Sequence, residues 1–239
     1  MPKSDRRNGE RGVALFFVML LLLLCSISVM GASRVTLLAE MMNGAAVDRA
    51  GAFAAAQALL RDAETEIRGA WSDATACRSD DAPSSCRAFG DRVAPPWTNE
   101  DYERLVEAVR SDPKLEPCRR GICAPTDPDQ LAEFRAHLPA LTSPANLVPT
   151  FAVHGQYAGT APSTAGVQAN PYLSQNARYW IEVFPYALTV TGGEEAIRFA
   201  PDPGRPFVFR ITASVQGRRP GTQVLLQEVF VPSPLFGGT

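Results

Sequence analysis

Few side chains in this sequence could carry out covalent or proton-transfer chemistry. Its two histidines are His137, on a predicted amphipathic helix, and His154, beside a glycine-rich loop. A side-chain nucleophile needs a base that a third group holds in place, and neither histidine lies in a hydrolase-like context. Both read as structural or surface residues. Asp80-Asp81, Asp127-x-Asp129 and Glu194-Glu195 offer carboxylates to calcium, but they lack the ligand spacing and the glycine of an EF-hand and read as solvated loop charges. No phosphate loop, dinucleotide fingerprint or metal-ligand cluster is present. A non-enzymatic protein without a metal or cofactor is expected.

Cysteine carries the remaining redox chemistry. Cys25 lies within an uncharged run and reads as a small buried hydrophobe. Cys77, Cys86, Cys118 and Cys123 all lie beyond that run, and an even number in an oxidising compartment reads as two disulfides. Three pairings are open. Joining Cys77 to Cys86 and Cys118 to Cys123 closes the shortest loops and is the first expectation. Zinc fits poorly, because the eight residues between Cys77 and Cys86 are too many for a close ligand pair.

One peptide bond is a further candidate. At Arg11-Gly12-Val13 a polar leader containing Lys3, Arg6, Arg7 and Arg11 meets an apolar run with no spacer. Residues 13 to 33 are 21 positions without a charge. At about 1.5 Å of rise each they would cross a hydrocarbon core of roughly 30 Å. Four basic residues precede the run, whereas residues 34 to 51 hold only Arg34 and Arg49, so the positive-inside bias places the N-terminus in the cytoplasm. The rest of the chain then lies outside. The alternatives are a plain signal anchor, or a secretory signal peptide with Val29 and Gly31 ahead of a cut at Ala32.

The elements beyond the run follow from periodicity. No proline occurs between Pro2 and Pro83, so one helix can continue from residue 13 to about residue 71. In its outer half Phe53, Ala56, Leu60, Ala63 and Ile67 recur at steps of three and four, one apolar stripe that a sheet or another helix should cover. Arg49, Gln57, Arg61, Asp62, Glu64 and Arg68 fill the other positions. Residues 71 to about 96 read as a loop tied by a disulfide. Thr98 with Asp101 makes an N-terminal capping pattern ahead of Tyr102, Leu105, Val106 and Val109, and a second short helix is expected from Asp127, with Leu131, Phe134 and Leu138 on one face. Residues 139 to 176 are rich in Pro, Gly, Ser and Thr and read as an exposed loop or variable insertion. After that the period changes to two, giving strands over 179 to 184 and 207 to 215, a turn at 217 to 221 and a return strand.

Several of these pieces resemble known ones. The leader ending in Gly12 resembles the signal of type IV prepilins, in which prepilin peptidase cuts after the glycine and leaves the apolar helix on the mature protein. Asn43, Asp48, Arg49, Ala52, Phe53, Ala55, Ala56, Ala58, Leu60 and Arg61 resemble the segment that follows the transmembrane helix of PilX-type minor pilins, with Gln57 where that pattern has Glu. Three groups resemble, in order, the strands of the PilX-type C-terminal half: Tyr179, Ile181, Glu182 and Val183; Phe209, Arg210, Ile211, Thr212 and Ala213; and Thr222, Val224, Leu226 and Gln227.

The resemblance implies a pilin-like α+β fold, a long N-terminal helix packed on a mostly antiparallel sheet. Its parts would be a leader at 1–12, a transmembrane and filament-core helix at 13–33, an amphipathic continuation at 34–71 and a periplasmic head at 72–239. It further implies cleavage between Gly12 and Val13, N-methylation of Val13, residence in the inner membrane, and packing with other minor pilins and the major pilin in the pilus. In major pilins the fifth mature residue is usually Glu; here it is Phe17, which points to a place at or near the filament tip and a role in starting assembly. A minor pseudopilin of a type II secretion system, or a pilus-associated adhesin using residues 139 to 176, are the alternatives. With the leader removed, 19 basic residues face 23 acidic ones, which argues against a nucleic-acid partner.

Overall fold

The computed structural model describes residues 6–70, 77, 86–87, 92–111, 118–124, 151–158, 170–173, 177–186 and 200–232, and of residues 6–12 and 35 the backbone alone. His137, the three acidic pairs and the second short helix expected from Asp127 lie outside them. The chain divides into two compact units, Met1–Val47 and Asp48–Thr239. Helix α1 (Arg6–Arg68) passes from the first into the second.

In the first unit every described side chain from residue 13 to 43 is exposed. The helix satisfies its own backbone, and its hydroxyls follow suit: Ser26, Ser28, Ser33 and Thr36 donate to the carbonyls of Leu22, Leu24, Met30 and Ala32. Such a segment presents almost no unsatisfied polar group to a hydrocarbon solvent. Cys25, expected to be buried, is free and exposed on this helix, with no packing partner among the described residues.

The second unit forms around the rest of α1. The helix ends where Gly69 takes φ +64°, donating to the Glu66 carbonyl while Ala70 donates to that of Thr65. Glycine reaches that left-handed conformation without a Cβ clash, so the last carbonyls are capped and the chain turns away. Helix α2 (Asn99–Arg110) starts with the expected capping box: Thr98 Oγ1 accepts from the Asp101 N–H and Asp101 Oδ2 from the Thr98 N–H.

Five strands make one sheet in the order β1-β2-β3-β4-β5: Cys118–Arg119, Ile122–Cys123, Ala177–Pro185, Phe207–Gln216 and Gln223–Phe230. All neighbours are antiparallel except β2 with β3. Tyr179, Ile181 and Val183 of β3 and Phe207, Phe209, Ile211, Ala213 and Val215 of β4 join the α1 side chains in one core. The alternate residue Trp180 packs on the opposite face with Phe151 and the Cys118 and Cys123 pair. The fold is α+β with a mostly antiparallel sheet.

Two expectations need correction. The buried face of α1 carries Asp48, Ala52, Ala55, Ala56, Leu59, Leu60, Asp62, Ala63, Glu66 and Ile67, whereas Phe53 is 45% exposed. That face is centred on Ala52, Leu59 and Ala63, rotated by roughly 60° from the stripe drawn through Phe53 and Ile67. Asp62, expected on the solvent side, is therefore buried. The segment 151–158 is likewise no exposed loop. Phe151, Ala152, Tyr157 and Ala158 are buried, and Ala152 exchanges hydrogen bonds of 3.0 and 2.9 Å with Tyr179.

Candidate assembly site

The residues that resembled a processing and packing signal occupy one continuous helix. Gly12 and Val13 both lie within α1, not at its start. Val13 is 56% exposed and Phe17 60%, its ring set edge-on to that of Phe16 at 6.3 Å. The most apolar window of the helix has a mean hydropathy of 2.9 and none of it is buried. An isolated helix that is apolar around its whole circumference needs lipid or other helices as its surroundings. A membrane anchor is the element this run can supply.

Within the second unit, buried polar groups fasten the helix to the rest of the head. Asp48 Oδ1 accepts from the backbone N–H of Arg218 at 2.9 Å and from Tyr172 Oη at 3.1 Å, and Oδ2 accepts from the N–H of Arg219 at 3.1 Å. Burial opposes the charge, but those N–H groups together with the Thr222 and Tyr172 hydroxyls outweigh it and hold the carboxyl below its ordinary value. Gly51 lies directly under the Tyr172 ring, where a Cβ would collide with it.

About four and five turns beyond Asp48, Asp62 Oδ2 accepts from the Gly155 N–H at 2.7 Å, and Glu66 meets Arg87 at 2.9 Å and the Tyr179 hydroxyl at 2.6 Å. Burial raises the Glu66 carboxyl; Arg87 and Tyr179 pull it back and Asp62 adds to the rise. Burial, then the charges of Glu66 and Asp62, push the Tyr179 phenol well above its usual range, so it stays a neutral donor. Arg87 also donates to the carbonyls of Val93 and Arg120 and lies 3.7 Å from the centre of the Tyr157 ring. Arg205 Nη2 donates to the last turn of α1 at the Ile67 carbonyl (2.6 Å), and burial lowers its pKa to about 10, still charged at neutral pH. These groups hold the head together; none pairs a nucleophile with a base.

On the outer face of the sheet, Glu182 of β3 accepts from Nε and Nη2 of Arg210 of β4, at 2.6 and 2.9 Å, across a direct register pair. Cys77 is joined to Cys86, and Cys118 to Cys123 across the β1–β2 hairpin. His154 is half-buried in the turn before Gly155. Cavities of about 670 and about 460 Å³ flank α2, the first beside Tyr102 and Val106 and the second beside Arg92, Arg119 and Arg120. Among the described residues, no three His, Cys, Asp or Glu side chains gather as a metal site.

The sequence could have signalled the Glu182 and Arg210 pair, since both stand in strands of period two. It gave no signal for the Asp48 clamp or for Arg87, whose partners are 170 and 21 residues away in the chain. The family model described as type IV pilus assembly protein PilX, C-terminal, matches residues 74–232. No curated protein and no solved structure matches the chain. The matched span contains β1 to β5, α2 and all four disulfide cysteines, and the chain belongs to the PilX family of type IV pilus assembly proteins.

Proposed function

We propose that this protein is a minor pilin that is cut between Gly12 and Val13, methylated on Val13, held in the inner membrane by residues 13 to 33, and placed at or near the pilus tip, where it helps to start assembly. The observation that carries this reading is the unburied apolar run at residues 13 to 33 of α1 in a chain of a pilus-assembly family. The mechanism is an exchange of surroundings: the helix leaves lipid for the helices of other minor pilins and the major pilin, while the head stays on the outer side. Phe17 supports the tip placement, because a buried carboxylate is tolerated only when paired, and a subunit with no neighbour toward the tip gains nothing from keeping one.

Intact mass and terminal sequencing of the membrane-extracted protein, with and without active prepilin peptidase, test the class. A methylated Val13 that depends on the peptidase is expected; an N-terminus at Ala32, or Met1 retained in both strains, overturns it. Gold labelling of sheared pili tests the placement, and an even signal along the shaft refutes it.

A further inference from the structure

Glu64 of α1 and Glu228 of β5 are both acids, yet their carboxyl groups meet within hydrogen-bond reach. Two carboxyl groups bond to one another only when one keeps a proton. Glu228 alternates with the outward Gln227 and Val229, so it shares the inner face of β5 with Val224, Leu226 and Phe230; its cross-strand partner on β4 is the apolar Ile211. Glu228 Oε1 is shielded from solvent and has no hydrogen-bond donor among the described residues. From α1, Arg68 also faces the pair. Its Nη2 binds Glu64 at 3.0 Å and its guanidinium lies 4.6 Å from the centre of the Phe230 ring. The seam thus sets two acids against one base.

We propose that Glu64 and Glu228 form a pH-sensitive latch that fastens the edge strand β5 to α1 when the pair holds a proton and loosens it when both groups are ionised. With the proton present, the pair and Arg68 are neutral in sum and one carboxyl donates to the other. Without it, two negative charges face a single cation that is already committed to Glu64. Burial, and then the neighbouring Glu64, raise the Glu228 carboxyl above the ordinary range, in the direction the latch requires.

The sign follows. In the unfolded chain Glu228 releases its proton at the ordinary value, below its raised folded value. Stability is therefore gained as pH falls through the folded value and is lost as pH rises back through it. Because β5 is the last strand of the sheet, loosening it frees backbone groups that can pair with another chain.

Hydrogen exchange of the amides of residues 224 to 230, corrected for intrinsic rates, tests this on the full chain in detergent at about pH 7.5 and about pH 5. Protection stronger by a few fold is expected at the lower pH, because a carboxyl raised in the folded state adds stability as pH falls. Glu228→Gln supplies a permanent N–H donor to Glu64 and should give the acid level of protection at both pH values. Glu64→Gln should flatten the response in the same way, and the exposed Glu103→Gln on α2 should keep the wild-type response. Equal wild-type protection at both pH values overturns the latch. So does a pH response that survives in Glu64→Gln, or weaker protection in Glu228→Gln than in wild type at about pH 7.5.

Discussion

Asp48 on α1 and Arg218 in the β4–β5 turn are 170 residues apart in the chain and 2.9 Å apart in the fold, carboxylate oxygen to backbone nitrogen. Both residues belong to the second unit, where the contact ties the first residue of that unit's part of α1 to the β4–β5 turn. Asp48→Ala is expected to lower the melting temperature by roughly 5 °C, because it leaves the N–H groups of Arg218 and Arg219 without their acceptor. Asp48→Asn, which keeps one oxygen, should lose less. The carboxyl titrates below its unfolded value, so its contribution is present above about pH 4 and is lost as pH falls through the folded value. Thermal melts on the acid side check this, and Asn at position 48 should remove that part of the acid sensitivity.

The Glu66 and Arg87 pair makes a different prediction, because both partners are buried. Arg87→Met leaves the Tyr179 hydroxyl as the Glu66 carboxylate's hydrogen-bond donor among the described residues and should cost about 3–5 kcal/mol. Adding Glu66→Leu should recover much of that loss, since the stranded charge is removed along with its partner. Urea unfolding of the two single variants and the double variant measures the coupling. Additive losses would mean that the pair is not a unit.

Phe53 and Leu59 separate head stability from assembly. Leu59 is fully buried, and Leu59→Ala should cost about 2–5 kcal/mol. Phe53 is 45% exposed beside Ala54 and Gln57, and Phe53→Ala should change stability by no more than about 0.5 kcal/mol. On the proposed function Phe53 is free to meet a neighbouring subunit, so the same substitution should lower pilus number while the melt stays put. Unchanged pilus number would remove Phe53 from the packing surface.

The offset between the apolar stripe of α1 and its buried face has a physical cause. Its true buried face is drawn in alanines and acids: Asp48, Asp62 and Glu66 turn inward because Arg218, Gly155, Arg87 and Tyr179 are there to receive them. Charged residues count as solvent-facing in a periodicity reading, so the apparent stripe shifted toward Phe53. The strands β3 to β5 were legible because β-branched, aliphatic and aromatic residues are dense in all three and alternate along β4. The two-residue strands β1 and β2 are too short to show any period, and the parallel pairing of β2 with β3 depends on a turn at Arg120 and Gly121 that lies between two disulfide-linked residues. The packed segment around Ala152 and Tyr157 was hidden by the glycines beside it, which mark turns and say nothing about burial.

Phe17 carries the last prediction. It is exposed on a helix segment that has no charge from residue 13 to 33, and in the proposed tip position it asks nothing of a neighbour. Phe17→Glu places a carboxylate there. In lipid that group costs up to about 3 kcal/mol near the middle of a span and less toward the end where residue 17 lies. In a filament it would gain a partner in the N-terminal amine of an adjacent subunit, a charge-assisted contact made only inside the helix bundle. If the missing carboxylate is what keeps this subunit at the end, gold label should spread from the pilus end into the shaft in the Phe17→Glu strain. Label that stays at the end in both strains would show that residue 17 does not set the position, and would leave the surface of α1 around Phe53 as the next place to look.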